Sequence, residues 1–202
     1  HSDLIHEGFT IQNKDEVRDV LMQNGVQTVF SGHIHIQNIS SYVKDTRQIY
    51  DVTNSALSVY PHQYGTLSFS PARHAMDYQT SPMNMEVWAD ANRIKDPNLQ
   101  HFKTYSESSF EQLSGNGSYK LLTQNSRYAH YTEHQLRAMT DLIQSLHKNY
   151  FAGTHVVKQD AIASSEGYQL WLNAPSSSQR DYVMRLAAQG NKDHNHLHVS
   201  LP

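Results

Sequence analysis

The sequence predicts a chain of the α/β class (α+β), with an α/β unit leading into a mostly helical one. Three observations carry that expectation. A helix signal near the beginning runs straight into a short apolar strand. Four short runs rich in Val, Ile, Tyr and Thr then follow between Ile39 and Pro71. Past residue 80, the apolar residues fall at helical spacing. The boundary lies near residue 80, so the expected units are 1–80 and 81–202.

Taken in order, Asn13 followed by Glu16 is a cap signal. Val17, Val20 and Leu21 give the helix an apolar stripe, and Gly25 stands where a left-handed cap would end it. "VQTVFS" reads as a short buried strand. "ISSYVKD", "QIYDVTN", "ALSVYP" and "TLSFSP" read as neighbouring strands, separated by Asp-Thr-Arg, Asn-Ser, Pro-His and Gly. The texture changes near "ARHAMDYQTSPMN", and "MEVWA" is expected to be one more strand. Asp96-Pro97 then opens a helix with Leu99 and Phe102 facing inward. "SGNGS" (Ser114 to Ser118) reads as a loop. Thr132 with Gln135 forms a capping box, and Leu136, Met139, Ile143, Leu146 and Tyr150 hold helical spacing after it. Val157, Ala161, Tyr168 and Trp171 lie in a further segment. Tyr182, Val183, Leu186 and Ala187 mark a last helix ending at Gly190. Trp171, Tyr168 and Tyr182 are expected in the helical core, and Asp141, Glu133 and Asp160 on solvated faces.

Composition narrows the function. Hydrophobic residues make up 38% of 202 residues and charged ones 17%, a balance that suits a polar-surfaced globular protein. No apolar run approaches the roughly 18–20 residues of a membrane span. A formal charge of −3 gives no footprint for duplex nucleic acid. With no cysteine, disulfides, thiol catalysis and cysteine-ligated zinc are excluded, while the compartment, cytoplasmic or exported, stays open. The fourteen histidines are where metal or acid–base chemistry would reside. The chain opens on His-Ser-Asp and reads as the latter part of a longer protein.

"VFSGHIHIQN" (Val29 to Asn38) is the stretch with chemical content. An apolar strand ends on a glycine and is followed by His33 and His35, one residue apart. On a flat strand two such residues share a face about 6.6 Å apart. In a loop past a strand end, Gly32 leaves room for both imidazoles to converge, so that two ions about 3.5–4 Å apart could each take one. The same pattern also suits structural polar residues at a strand end. Gln37 and Asn38 either orient the imidazoles or simply begin the next strand.

The order "HSDLIHEG", helix, strand, "SGHIHIQNI" and then strands into "VTNSALSVYPHQYGTLSF" resembles the C-terminal half of the catalytic domain of calcineurin-like metallophosphoesterases. The likeness extends over about residues 1–70. The helical remainder more loosely resembles the C-terminal domain of bacterial two-domain members. The resemblance implies the latter half of a metallophosphoesterase β-sandwich flanked by helices, followed by a helical domain. It implies two divalent metal ions (Mn, Fe or Zn), with His33 and His1 on the second metal and His35 on the first. Asp3 stands where that family usually has Pro, and His6 is the nearby substitute for His1. The family's Asp-x-His, Gly-Asp-x-x-Asp and Gly-Asn-His-[Asp/Glu] motifs are absent from these residues. The acid–base His and the bridging Asp are therefore expected upstream, in the N-terminal half of the same enzyme. The implied reaction is hydrolysis of a phosphodiester by a metal-activated hydroxide, with a cyclic nucleotide among the candidate substrates. These residues alone are expected to be inactive. A phosphomonoesterase or Ser/Thr protein phosphatase-like hydrolase is one alternative. A non-enzymatic helical interaction module on a degenerate remnant is another.

His62, in the turn "YPHQYG", would touch substrate phosphate or else only bond its own turn. Tyr60 and Tyr64 would stack on a base or pack at strand ends, and Asn54 and Ser55 are polar loop residues with no assigned role. In "DHNHLHVS", His194, His196 and His198 would line one strand face at intervals of about 6.6 Å, too wide for one zinc without a bend.

Overall fold

The computed structural model describes residues 8–154, 159–189 and 192–201. It is an α+β chain with eight α-helices and two three-stranded sheets among those residues. The chain divides into two compact units. The first runs through Pro82 and takes in Phe151–Thr154 and the residues from Asp193 onward; the second comprises Met83–Tyr150 and the chain up to Lys192. His1, His6, Val157 and Gly190 lie outside the described residues.

In the first unit, helix α1 (Lys14–Gln23) leads into strand β1 (Thr28–Ser31), with Gly25 between them at φ 76. Met22 is the buried residue of α1, while Val20 lies exposed, so the inner stripe is turned from the one the sequence suggests. Strands β2 (Asn38–Lys44) and β3 (Arg47–Thr53) form a hairpin in the expected places. Strand β1 pairs with β3 in parallel, from Thr28 opposite Tyr50 to Ser31 opposite Thr53. The second sheet has the order β4-β5-β6, all antiparallel, built from β4 (Gln63–Ser70), β5 (Ala75–Pro82) and β6 (His196–Ser200). Ile49, Val52, Met76, Tyr78 and Val199 are buried. "ALSVYP" is a turn-rich loop rather than a strand, with a cis Tyr60-Pro61 peptide. Strand β5, which carries Asp77 and Gln79, was hidden from the sequence by its polar residues, while β6 falls on the "DHNHLHVS" stretch with His196 and His198 in it and His194 before it.

The second unit is helical: α2 (Met85–Ala91), α3 (Pro97–Gln100), α4 (Phe102–Gln124), α5 (Glu133–Ala152, whose last two residues group with the sheets), α6 (Gln159–Ala163), α7 (Glu166–Leu172) and α8 (Ser178–Ala187). "MEVWA" is therefore helix α2. A short apolar run broken only by Glu86 mimics a strand, but Asn84 caps it by accepting from the Val87 amide at 3.0 Å. The Asp96 and Thr132/Gln135 caps form as expected. "SGNGS" lies within α4 and not in a loop. The reason is close approach: Gln144 of α5 donates its Nε2 to the Glu111 carbonyl (2.7 Å), and a side chain at position 115 would collide with that amide. Gly115 thus costs helix propensity but permits the two long helices to meet.

Leu136, Met139, Ile143, Leu146 and Tyr150 are all buried along α5. Trp171 packs edge-on to Tyr128 (5.8 Å between rings) and donates its Nε1–H to the Met139 carbonyl at 3.0 Å. Lys148 is bracketed by Glu107 and Glu111, the Glu107 contact above all raising the lysine's pKa. Nearby, His147 Nδ1 lies 2.8 Å from the Ser114 hydroxyl and Nε2 2.9 Å from that of Tyr182. Burial lowers the imidazole to about 4 and raises the Tyr182 hydroxyl, while Tyr150 is pushed up to about 12.

Candidate functional site

Because β1 and β3 run in parallel, the loops that leave them begin at the same sheet edge, the C-terminal end of both strands. One loop carries His33 and His35; the other carries Asn54, Ser55 and His62. In α/β sheets that edge is where ligands bind. The two loops are tied at their roots by the Asn54 amide donating to the Ser31 carbonyl at 3.0 Å. Below them the Ser31 hydroxyl donates to Asp51 (2.7 Å) and lies 3.1 Å from the Thr53 hydroxyl.

His33 and His35 both hold positive φ, 82 and 58. Non-glycine residues there are uncommon, at a cost of about 1–3 kcal/mol each when strained, and such residues gather at binding sites. The intervening Ile34 is half-buried and Ile36 is buried, while both histidines stand exposed, His33 with its ring 5.7 Å from that of Phe9. The alternation therefore anchors the loop through its isoleucines and leaves the imidazoles facing solvent.

Gln37 fixes the far end of this loop. It is fully buried, its Nε2 donates to the His194 carbonyl (2.8 Å), and its Oε1 accepts from the Tyr78 hydroxyl (3.2 Å). It thus braces the loop and is not bonded to the imidazoles. The Tyr78 hydroxyl is shared with Asn54 Oδ1, so one buried phenol holds both loops. Burial raises the pKa of that phenol, so it stays a donor. Tyr78 was not visible as a site residue because strand β5 was not. The signal was Ala75, Met76 and Tyr78, which lie buried in "AMDYQT". Asn38 opens β2, paired with Thr53.

Gly65 of β4 lies beneath this clamp. A Cβ there would collide with the Tyr78 ring and approach Asn54 Oδ1 to 2.9 Å. Gly65→Ala should therefore lower stability by about 1–3 kcal/mol, read as an earlier urea midpoint. An unchanged midpoint would show that the Tyr78–Asn54 clamp yields without cost.

His62 also has positive φ (55), and its Nδ1 lies 2.8 Å from the Leu57 carbonyl, so one ring nitrogen serves the turn. Tyr64 is exposed and Tyr60 half-buried. His194 does not share a face with His196 and His198. It is buried, with Nδ1 accepting from the Ile39 amide at 3.0 Å.

The donor chemistry can be tested against a metal centre. His33 and His35 supply two imidazoles, a type that suits Zn and Fe. Among the described residues, no group of three or more His, Asp or Glu side chains is arranged to hold an ion. Two donors thus fit, and the carboxylates of a paired-ion site are not supplied by the described residues.

The molecule is an α+β protein whose histidine loop leaves the C-terminal end of a parallel strand. Residues 84–193 match the family described as the C-terminal domain of cyclic nucleotide phosphodiesterase. The match spans more than half of the chain, and the chain belongs to that family, a phosphodiesterase-related one. No curated protein matches the chain significantly. Among the described residues no helix is long and apolar enough to cross a membrane.

Proposed function

We propose that this chain is part of a phosphodiesterase of the calcineurin-like, binuclear metal-dependent kind, acting on a phosphodiester, with a cyclic nucleotide as the candidate substrate. Its family membership over residues 84–193 is the observation that carries the phosphodiester reading. The exposed, left-handed His33 and His35 at the end of β1 support a metal role for that loop.

On this reading His33 and His35 each hold one of two divalent ions (Mn, Fe or Zn), with His1 as a further ligand. The ions would supply Lewis acidity at the phosphoryl oxygens. A Cβ at position 32 would meet nothing within 4 Å, so the glycine is not what makes room for the imidazoles; Ile34 and Ile36 anchor them, and Gln37 and Tyr78 keep the loop from shifting. Rigid placement matters because phosphoryl transfer depends on positioning and electrostatics. His62 would lie against a substrate phosphate oxygen. The bridging carboxylate and the acid–base histidine would come from residues outside these 202, since two close cations repel strongly without a shared anion.

The test is metal content by mass spectrometry together with hydrolysis of a cyclic nucleotide. The native protein and the His33→Ala and His35→Ala variants would be compared, with the upstream half of the enzyme present. About two equivalents of transition metal, lowered in either variant along with activity, is the expected result. Unchanged metal content in both variants would remove these histidines from the site. Turnover by these residues alone with added Mn²⁺ would overturn the assignment of the missing groups.

A further inference from the structure

We propose that His196 and His198 on β6 form a two-imidazole chelate for one divalent transition-metal ion of the kind imidazole prefers, Cu²⁺, Ni²⁺ or Zn²⁺. As residues i and i+2 of a strand they share one face, and Leu197 and Val199 take the other, Val199 buried. Both imidazoles are exposed, with side-chain accessibilities of 62% and 60%.

What distinguishes this pair from ordinary surface histidines is how each ring is held. Asp193 Oδ2 lies 3.0 Å from Nδ1 of His196, and Asp77 Oδ1 lies 2.6 Å from Nδ1 of His198. A neutral imidazole that donates Nδ1–H to a carboxylate has its lone pair on Nε2. That is the carboxylate–histidine arrangement found behind metal-ligating histidines, where the acid fixes the tautomer and raises ligand basicity. It occurs here twice, on adjacent same-face positions.

The carboxylates are themselves positioned. Asp77 stands directly across from His198 in the β5–β6 register and has Arg73 3.8 Å from its other oxygen. Asp193 accepts from the Asn195 backbone amide (2.9 Å) and from its side chain (3.0 Å). Gln79 lies opposite His196, and Ser68 lies opposite Asp77 on β4, so no cation occupies the neighbouring register positions. Three histidines in a row could not reach one ion from a flat strand. A pair has to close only one such interval, by a small turn of each ring that keeps Nδ1 on its carboxylate, and the burial of His194 leaves such a pair. No third His, Asp or Glu of the described residues completes a group with them. The ion would therefore keep water in its remaining positions and exchange readily.

The experiment is titration of the metal-free protein with Ni²⁺, followed by calorimetry and by paramagnetic broadening of backbone amide signals. It is run in a His33→Gln/His35→Gln background to silence the other histidine pair. The expected result is one equivalent bound, with the amides of residues 75–79 and 196–200 broadening first. His196→Gln/His198→Gln should abolish that event. Asp77→Asn and Asp193→Asn should each weaken it by about 10–100-fold, while circular dichroism stays unchanged. Equal Ni²⁺ affinity in the double histidine variant, broadening that begins elsewhere, or no binding at all would overturn the proposal. Asparagine variants that bind as tightly as native would overturn the role given to the two carboxylates.

Discussion

Trp171→Ala should destabilise the helical unit by about 3–5 kcal/mol, the usual range for removing a fully buried tryptophan. The indole has no exposed surface and sits on α7 against α5, with Tyr128 at its edge and the Met139 carbonyl as its hydrogen-bond acceptor. Its own carbonyl accepts from Arg180 Nε at 3.1 Å, so the same residue ties α7 to α8. Collapse around the cavity is obstructed on one side. The backbone of Ala138 presses on Gly167 so closely that no Cβ fits there, and α7 cannot slide nearer to α5. Trp171→Phe separates the contributions in part, because it keeps most of the packing while losing the N–H donor and the remainder of the indole ring. It should cost about 1–3 kcal/mol. Urea unfolding of the three proteins measures both differences. Equal midpoints for native and Trp171→Ala would mean that the family-matched unit is held together elsewhere, against the packing described above.

The elements that the sequence disclosed are those whose apolar pattern matched their geometry. Helix α5 is the clearest: Leu136, Met139, Ile143, Leu146 and Tyr150 announce one buried face, and all five are buried. Strands β2 and β3 were legible through β-branched and aromatic runs. Legibility failed where contact partners remote in sequence decide. Gly115 looks like a loop signal until Gln144, 29 positions later, is seen to fill the space above it. "MEVWA" is an apolar run of five residues, too short to distinguish the two periods. Strand β6 is polar on one face, where His196 meets Asp193 three residues earlier and His198 meets Asp77, and only the register with β5 reveals the second contact. At the site, the sequence indicated the exposed pair His33 and His35 and named Gln37. It could not show that Gln37 reaches Tyr78 and His194, because those contacts span 41 and 157 residues.

The helical unit should also lose stability in mild acid through His147. Its imidazole is held neutral by burial, with a pKa lowered to about 4, and its two nitrogens face the hydroxyls of Ser114 and Tyr182. In the unfolded chain the same group takes up its proton near pH 6.5. Between those values the unfolded state binds the extra proton, so stability rises with pH through that window and falls as pH drops. Above it both states are neutral and the slope vanishes; below about 4 the loss is complete. A depression of roughly 2.5 units corresponds to about 3 kcal/mol over the whole window. His147→Gln removes the titrating group while retaining hydrogen-bonding capacity toward the two hydroxyls. Urea unfolding at pH 7.5 and pH 4.5 should therefore show a smaller drop for this variant than for the native protein. Glu107 and Glu111 beside Lys148 are the same in both proteins, so the comparison cancels whatever they contribute. Identical drops in the two proteins would assign the acid sensitivity to groups other than His147 and leave it as a neutral link between α4 and α8.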